Sequence, residues 1–150
     1  MPVPRAGLLR GAGPHPGTMS AMAPPATTPG ERDALEELTA RLRRFADERD
    51  WRQFHSPKNL ACALSVEAAE LLEHFQWLTE AQSQDLAGEQ RAAVGAEMAD
   101  VLLYLLQLAD RLQIDLMAAA RAKLVLNERR YPVERSRGSS RKYNDLPRDP

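Results

Sequence analysis

From residue 31 the chain alternates polar and apolar positions with a helical period. Leu35, Leu38, Leu42 and Phe45 recur at steps of three and four, and charged residues fill the positions between them. Such a stripe predicts an amphipathic helix over residues 31–50. A crowded connection follows, Trp51-Arg52-Gln53-Phe54-His55-Ser56-Pro57. Ser56 suits an N-cap and Pro57 a first helical position, which starts a second helix expected over 57–78. Its predicted core stripe is Leu60, Leu64, Ala68, Leu71 and Phe75, flanked by Ala61 and Leu72. The polar stretch 79–89 reads as a loop. A third helix is expected over 89–112, where Met98, Val101, Leu102, Leu105, Leu106 and Ala109 leave little polar surface. A helix apolar nearly all round is covered on several sides. In a chain of this length, that predicts a subunit interface as well as a core. A fourth helix, 116–130, is expected to start at Asp115 and to stop before Pro132. With no strand-like alternation, hairpin turn or repeat, the expected class is all-α, a helical bundle completed by oligomerisation.

Residues 1–30 hold Pro2, Pro4, Pro14, Pro16, Pro24, Pro25 and Pro29 among Gly, Ala and Thr. They offer little to bury and are expected to be disordered. The expected organisation is a segment 1–30, one domain over 31–134, and a basic tail over 135–150 carrying Arg135, Arg137, Arg141 and Lys142. The formal net charge of −1 provides no global field to attract nucleic acid or an acidic membrane. The most apolar run, 101–109, contains Tyr104 and Gln107 and falls far short of the roughly 20 residues that span a bilayer. No secretory signal core is visible, and a cytoplasmic location is expected. Cys62 is the single cysteine, so no intramolecular disulfide is possible. Between Ala61 and Ala63 it reads as a buried, inert thiol.

Two acidic pairs interrupt this apolar pattern, Glu67-x-x-Glu70 and Glu97-x-x-Asp100. Three residues apart on a helix places each pair on one face. Four carboxylates brought together repel. Two unit charges about 4 Å apart cost about 4 kcal/mol at an effective dielectric near 20. A divalent cation removes that cost, and an all-oxygen donor set suits Mg²⁺, with Mn²⁺ as the alternative, rather than zinc. Mg²⁺ commonly completes its shell with substrate phosphates, so a nucleotide polyphosphate is the natural partner. A ferritin-like di-iron site would require Glu-x-x-His. Here the third residue after Glu70 is Glu73, and after Asp100 it is Leu103.

Glu67-Ala68-Ala69-Glu70 followed by Glu97-Met98-Ala99-Asp100 resembles the signature of the MazG-like all-α nucleoside triphosphate pyrophosphohydrolases. The flanking segments 45–51, Gln53-Phe54-His55, Phe75-Gln76-Trp77, 100–105, Arg130-Tyr131-Pro132 and Arg141-Lys142-Tyr143 resemble the dCTP pyrophosphatase branch, over residues 35–146 in all. The resemblance implies hydrolysis between the α- and β-phosphates, giving a monophosphate and pyrophosphate. It implies Mg²⁺ on Glu67, Glu70, Glu97 and Asp100, a substrate of dCTP or modified dCTP, a role in nucleotide-pool sanitation, and a homotetramer or dimer.

It further implies a base site at Trp51, Arg52, Gln53, Phe54 and His55 and at Trp77. Tyr104, one turn beyond Asp100, faces the same way. Lys123, Asn127 and Arg130, with Arg129, Arg141 and Lys142, are candidates to grip the triphosphate. Where some members of the branch carry a substrate-contacting histidine on the first helix, this chain has Leu42. The alternatives are a MazG-like hydrolase of another nucleotide such as dUTP, and a non-catalytic helical interaction module. Neither a nucleic acid polymer nor a membrane is expected as a partner.

Overall fold

A computed structural model describes the backbone of residues 29–145 and the side chains of 34–145. Every regular element in it is a helix or a single helical turn, so among the described residues the all-α expectation holds. The expected disorder over residues 1–28 lies outside the described residues. The described chain falls into two units, divided after Met117.

Helix α1 spans Pro29–Asp47, starting two residues before the expected position. It ends three residues early as well. The chain leaves it through Glu48 N to Arg44 O and Asp50 N to Asp47 O, and Asp50 takes a left-handed backbone at φ 53°. Aspartate is one of the few residues that visit this region readily, and one left-handed residue ends a helix. A 3₁₀ turn, Trp51–Gln53, follows.

Helix α2, Pro57–Glu73, starts as its sequence dictates. Ser56 Oγ accepts from Asn59 N at 3.2 Å, Pro57 occupies the first turn, and the Asn59 amide donates to Phe54 O at 2.9 Å. It stops five residues short of expectation. The Phe75 and Gln76 amides both turn back onto Leu72 O, and Leu78 N bonds to Phe75 O. The physical reason is Thr79, which must be extended to cap the next helix. Its hydroxyl accepts from Gln82 N, and the Gln82 carboxamide oxygen returns to Thr79 N at 2.9 Å. This reciprocal cap starts the short helix α3, Glu80–Gln84, within the stretch expected to be loop.

Helix α4, Gly88–Arg111, packs chiefly on α2, and α1 lies against α4. By length and composition alone α4 could cross a bilayer. Counting only uninterrupted apolar residues misses this, because Glu97 and Asp100 divide the run. Those carboxylates and the α2 contact suit a bundle helix that still has uncovered apolar surface. Among the described residues the buried ones are few: Leu60, fully so, and Ala46, Val94, Leu106 and Ala109 nearly so. Val66, Leu72, Met98 and Leu102 are exposed, so among the described residues the cover expected for the apolar second half of α4 is incomplete.

The inward line of α2 runs Leu60, Leu64, Glu67, Leu71, with Leu60 buried and the others half-buried. Ala68, expected in the core, is exposed, and so is Cys62, expected to be buried. Cys62 sits on the side of α2 turned away from that line, and Ala68 lies on its flank. The cause is a register difference of about one position. Apolar residues on α2 outnumber those one face can bury, and Glu67 takes an inward place.

The second unit holds most of helix α5, Leu116–Arg130, then the single turn α6, Val133–Ser136, and a 3₁₀ turn, Tyr143–Asp145. Within it Tyr131 and Tyr143 meet edge to face at 6.1 Å, and the Arg130 guanidinium lies 4.9 Å over the Tyr143 ring.

Candidate active site

The packing of α2 on α4 brings the two acidic pairs together. Glu67, Glu70 and Glu97 each offer a carboxylate oxygen within 4.8 Å of the others. Glu67 and Glu97 are half-buried and Glu70 is exposed, so the group opens to solvent on one side. Asp100, half-buried and one turn beyond Glu97, stands outside this tight trio but within electrostatic reach of Glu67. Burial raises the proton affinity of Glu67 above the ordinary carboxylate value, and the charges of Glu70, Asp100 and Glu97 raise it further. A carboxylate whose ionisation is opposed by three neighbouring acids fits a hard divalent cation well. The donors are all oxygen, and the cation removes the repulsion that protonation would otherwise relieve.

The aromatic residues expected around the base divide into two sets. Trp51 and His55 meet at 6.2 Å, and Trp51 also meets Phe45 edge to face at 5.7 Å. The Arg49 guanidinium covers Phe45 at 3.7 Å. Tyr104 is half-buried on α4. Phe54 is exposed, and Trp77 is 86% exposed, outside the Trp51–His55 cluster. Arg52 and Gln53, expected to bind substrate, are engaged locally. Arg52 makes a two-bonded ion pair with Asp47, and the Gln53 amide donates to Asp50 Oδ2 at 2.8 Å. Lys123, Asn127 and Arg130 belong to the second unit, where Lys123 is exposed and Asn127 and Arg130 are half-buried.

A cavity of about 350 Å³ opens between α1, the Trp51 turn and α4, with His55 in its wall. That volume is in the range of small-molecule sites. Sequence reasoning missed most of its polar lining: Thr39, Arg43, Gln107 and Asp110. A signal was present, since Gln107 and Asp110 are the polar breaks in an otherwise apolar half-helix. Arg43 grips Asp110 with two hydrogen bonds, one of 2.9 Å, and ties α1 to α4 across 67 residues of sequence.

The Arg43 bond holds the Asp110 carboxyl below its ordinary value of 3.8, against the opposing effect of burial, with further help from Arg52 and Arg111. A lowered carboxylate pKa adds stability above the unfolded value, and this is lost as pH falls through the folded value. Arg43 is about half exposed, so Asp110→Asn is expected to cost only about 0.5–1 kcal/mol near neutral pH. The variant should also lose less stability than the wild type on acidification below 3.8. Urea unfolding at neutral and acid pH measures both effects.

Among the described residues, carboxylates gathered from two helices and a cavity with His55 in its wall, both built on α4, have the makings of a metal-dependent nucleotide enzyme. The MazG-like family model matches residues 62–146, and the chain belongs to that family. Its relatives include dCTP pyrophosphatase 1 of Homo sapiens, 47% identical over 115 residues, or 75% of this chain and 68% of that protein. Mouse (Mus musculus) dCTP pyrophosphatase 1 is 49% identical over 116 residues, 76% of this chain and 68% of that protein. Among solved structures, a pyrophosphatase from Archaeoglobus fulgidus superposes with a TM-score of 0.63 at 44% identity, covering 66% of this chain and 93% of that one.

Proposed function

We propose that the protein is a Mg²⁺-dependent dCTP pyrophosphohydrolase, converting dCTP or a modified dCTP and water to the monophosphate and pyrophosphate. The observation that carries the reading is the meeting of Glu67, Glu70 and Glu97 across α2 and α4 in a chain 47–49% identical to dCTP pyrophosphatases over 115–116 residues. In this reading Glu67, Glu70, Glu97 and Asp100 hold the cation. Bound Mg²⁺ supplies neutralisation of phosphate charge and a site for the attacking water. A carboxylate oxygen of Glu67 or Glu70 accepts the proton of that water. Trp51, His55 and Tyr104 flank the nucleoside, and Trp77 and Phe54 add aromatic surface that a neighbouring copy or the substrate covers. Lys123, Asn127 and Arg130 are the candidates for the outer phosphates. The active form is a homo-oligomer, a tetramer or a dimer, working in the cytoplasm to cleanse the nucleotide pool.

A panel of natural and modified deoxynucleoside triphosphates, with Mg²⁺ and with chelator, scored for pyrophosphate and monophosphate, tests this. Mg²⁺-dependent release that is fastest from a cytosine nucleotide is expected. Fastest release from dUTP would keep the chemistry and replace the base. No release from any nucleotide, together with no Mg²⁺-linked rise in melting temperature, would favour an interaction module instead.

A further inference from the structure

The wall of the cavity beside His55 holds several polar groups, and among the described residues the side chains of His55, Gln107 and Arg111 make no hydrogen bond. Arg43 and Asp110 bind each other, and Arg52 binds Asp47. The Thr39 hydroxyl donates to Leu35 O at 2.7 Å, and the Gln113 amide donates to Asp110 O at 2.6 Å. The Gln107 carboxamide is half-buried in the same wall and makes no hydrogen bond among the described residues. A half-buried amide without a protein partner is open to water and free to bond a ligand that enters the cavity.

Its position favours a ligand. On α4, Asp100, Tyr104 and Gln107 follow one another at steps of four and three, so they lie on one face. At 1.5 Å per residue Gln107 is about 10 Å along the axis from Asp100. That separation is of the order of an extended nucleotide from its α-phosphate to the far edge of its base. A nucleotide with its phosphates at the acidic cluster and its sugar beside Tyr104 would bring its base into the cavity between Leu42, His55 and Gln107. There the chemistry matches. A carboxamide offers one acceptor and one donor side by side, and the outer edge of cytosine offers an exocyclic N–H donor beside the N3 acceptor.

We propose that Gln107 is a specificity-determining residue that reads the base of the substrate, its Oε1 accepting from the exocyclic amine and its Nε2 donating to ring N3. This rests on the reading of the protein as a cytosine nucleotide hydrolase. Leu42 and His55 supply the flanking surfaces, and the Arg43–Asp110 pair fixes the spacing of α1 from α4. The same amide turned through half a revolution fits the reversed pattern of uracil. Gln107 therefore anchors the outer edge of a pyrimidine and discriminates against a base that lacks the exocyclic group.

The test pairs a protein change with a matching substrate change. Full-length wild type and Gln107→Leu are assayed with Mg²⁺ on dCTP and on the triphosphate of pyrimidin-2-one deoxyriboside, which lacks the exocyclic amine. The wild type is expected to prefer dCTP by about 10- to 100-fold in kcat/KM. In Gln107→Leu that preference falls towards one, because dCTP loses most of its advantage, chiefly through KM. A merely structural role for Gln107 would slow both substrates alike and keep the ratio, which would overturn the proposal. Gln107→Met, of similar length and without the amide, replaces the Leu variant if circular dichroism shows that the latter does not fold. A wild type that releases no pyrophosphate from either substrate overturns the hydrolase reading itself and this inference with it. An active wild type with an unchanged ratio in the variant overturns the inference alone.

Discussion

Glu97→Gln is expected to keep the helical fold and to lower pyrophosphate release from dCTP by roughly 100- to 1,000-fold, the scale seen when one preorganised electrostatic group is removed from an active site. Glu97 is half-buried, and its carboxylate oxygen lies within 4.8 Å of those of Glu67 and Glu70. The amide keeps the shape of the side chain but replaces an anionic ligand by a neutral one, so cation affinity falls with turnover. Stability should move the other way when no metal is present. Glu97 is one of the charges that raise the proton affinity of Glu67. Its removal relieves repulsion, and the metal-free variant should melt at or above the wild type. Ligand binding to the native state stabilises by mass action, so the rise in melting temperature on adding Mg²⁺ should shrink in the variant. Activity equal to wild type would sink the metal-site reading. Lost activity with an unchanged Mg²⁺-linked shift would leave Glu97 outside the metal shell and give it another role in turnover.

The acidic pairs were legible in sequence because carboxylates inside apolar helices break a strong pattern. The spacing of three fixes each pair on a face whichever register the helix adopts. What sequence could not give was which member faces inward. The apolar residues of α2 suggest a line through Ala68, while the fold turns Glu67 inward and leaves Ala68 and Cys62 exposed. With Ala61, Cys62, Ala63, Val66, Ala68 and Ala69 all weakly apolar, adjacent registers have similar hydrophobic content, and the large residues Leu60, Leu64 and Leu71 decide between them. The helix α3 was missed because its cap, Thr79 to Gln82, lies in a polar stretch without an apolar stripe. The cavity wall was missed for a different reason. Arg43 and Asp110 are 67 residues apart, and nothing local in either segment announces their pairing. Trp77 was legible as an aromatic of interest, yet at 86% exposure it has no wall to complete within one described chain.

Leu60→Ala is expected to cost about 2–5 kcal/mol, the range for truncating a fully buried leucine. Leu60 is 1% exposed, the most completely buried large side chain among the described residues, and only Ala46, Val94, Leu106 and Ala109 are buried beside it there. A core this small has little spare stability, since natural domains hold about 5–15 kcal/mol in total. Val66, Leu72, Met98 and Leu102 meanwhile expose apolar surface on the same two helices that carry the acids. If further copies of the chain cover that surface, as proposed, part of the missing stability comes from association, and the melting temperature rises with protein concentration. The two contributions can be separated. Leu60 is internal to the chain, so its truncation should lower the urea midpoint by a similar amount at every protein concentration with the slope unchanged. Met98→Glu, on exposed surface, should instead reduce the concentration dependence itself. A loss below about 1 kcal/mol in Leu60→Ala would show that the α2–α4 contact is not the centre of the core, and the position of Glu67 against Glu97 would then need another explanation.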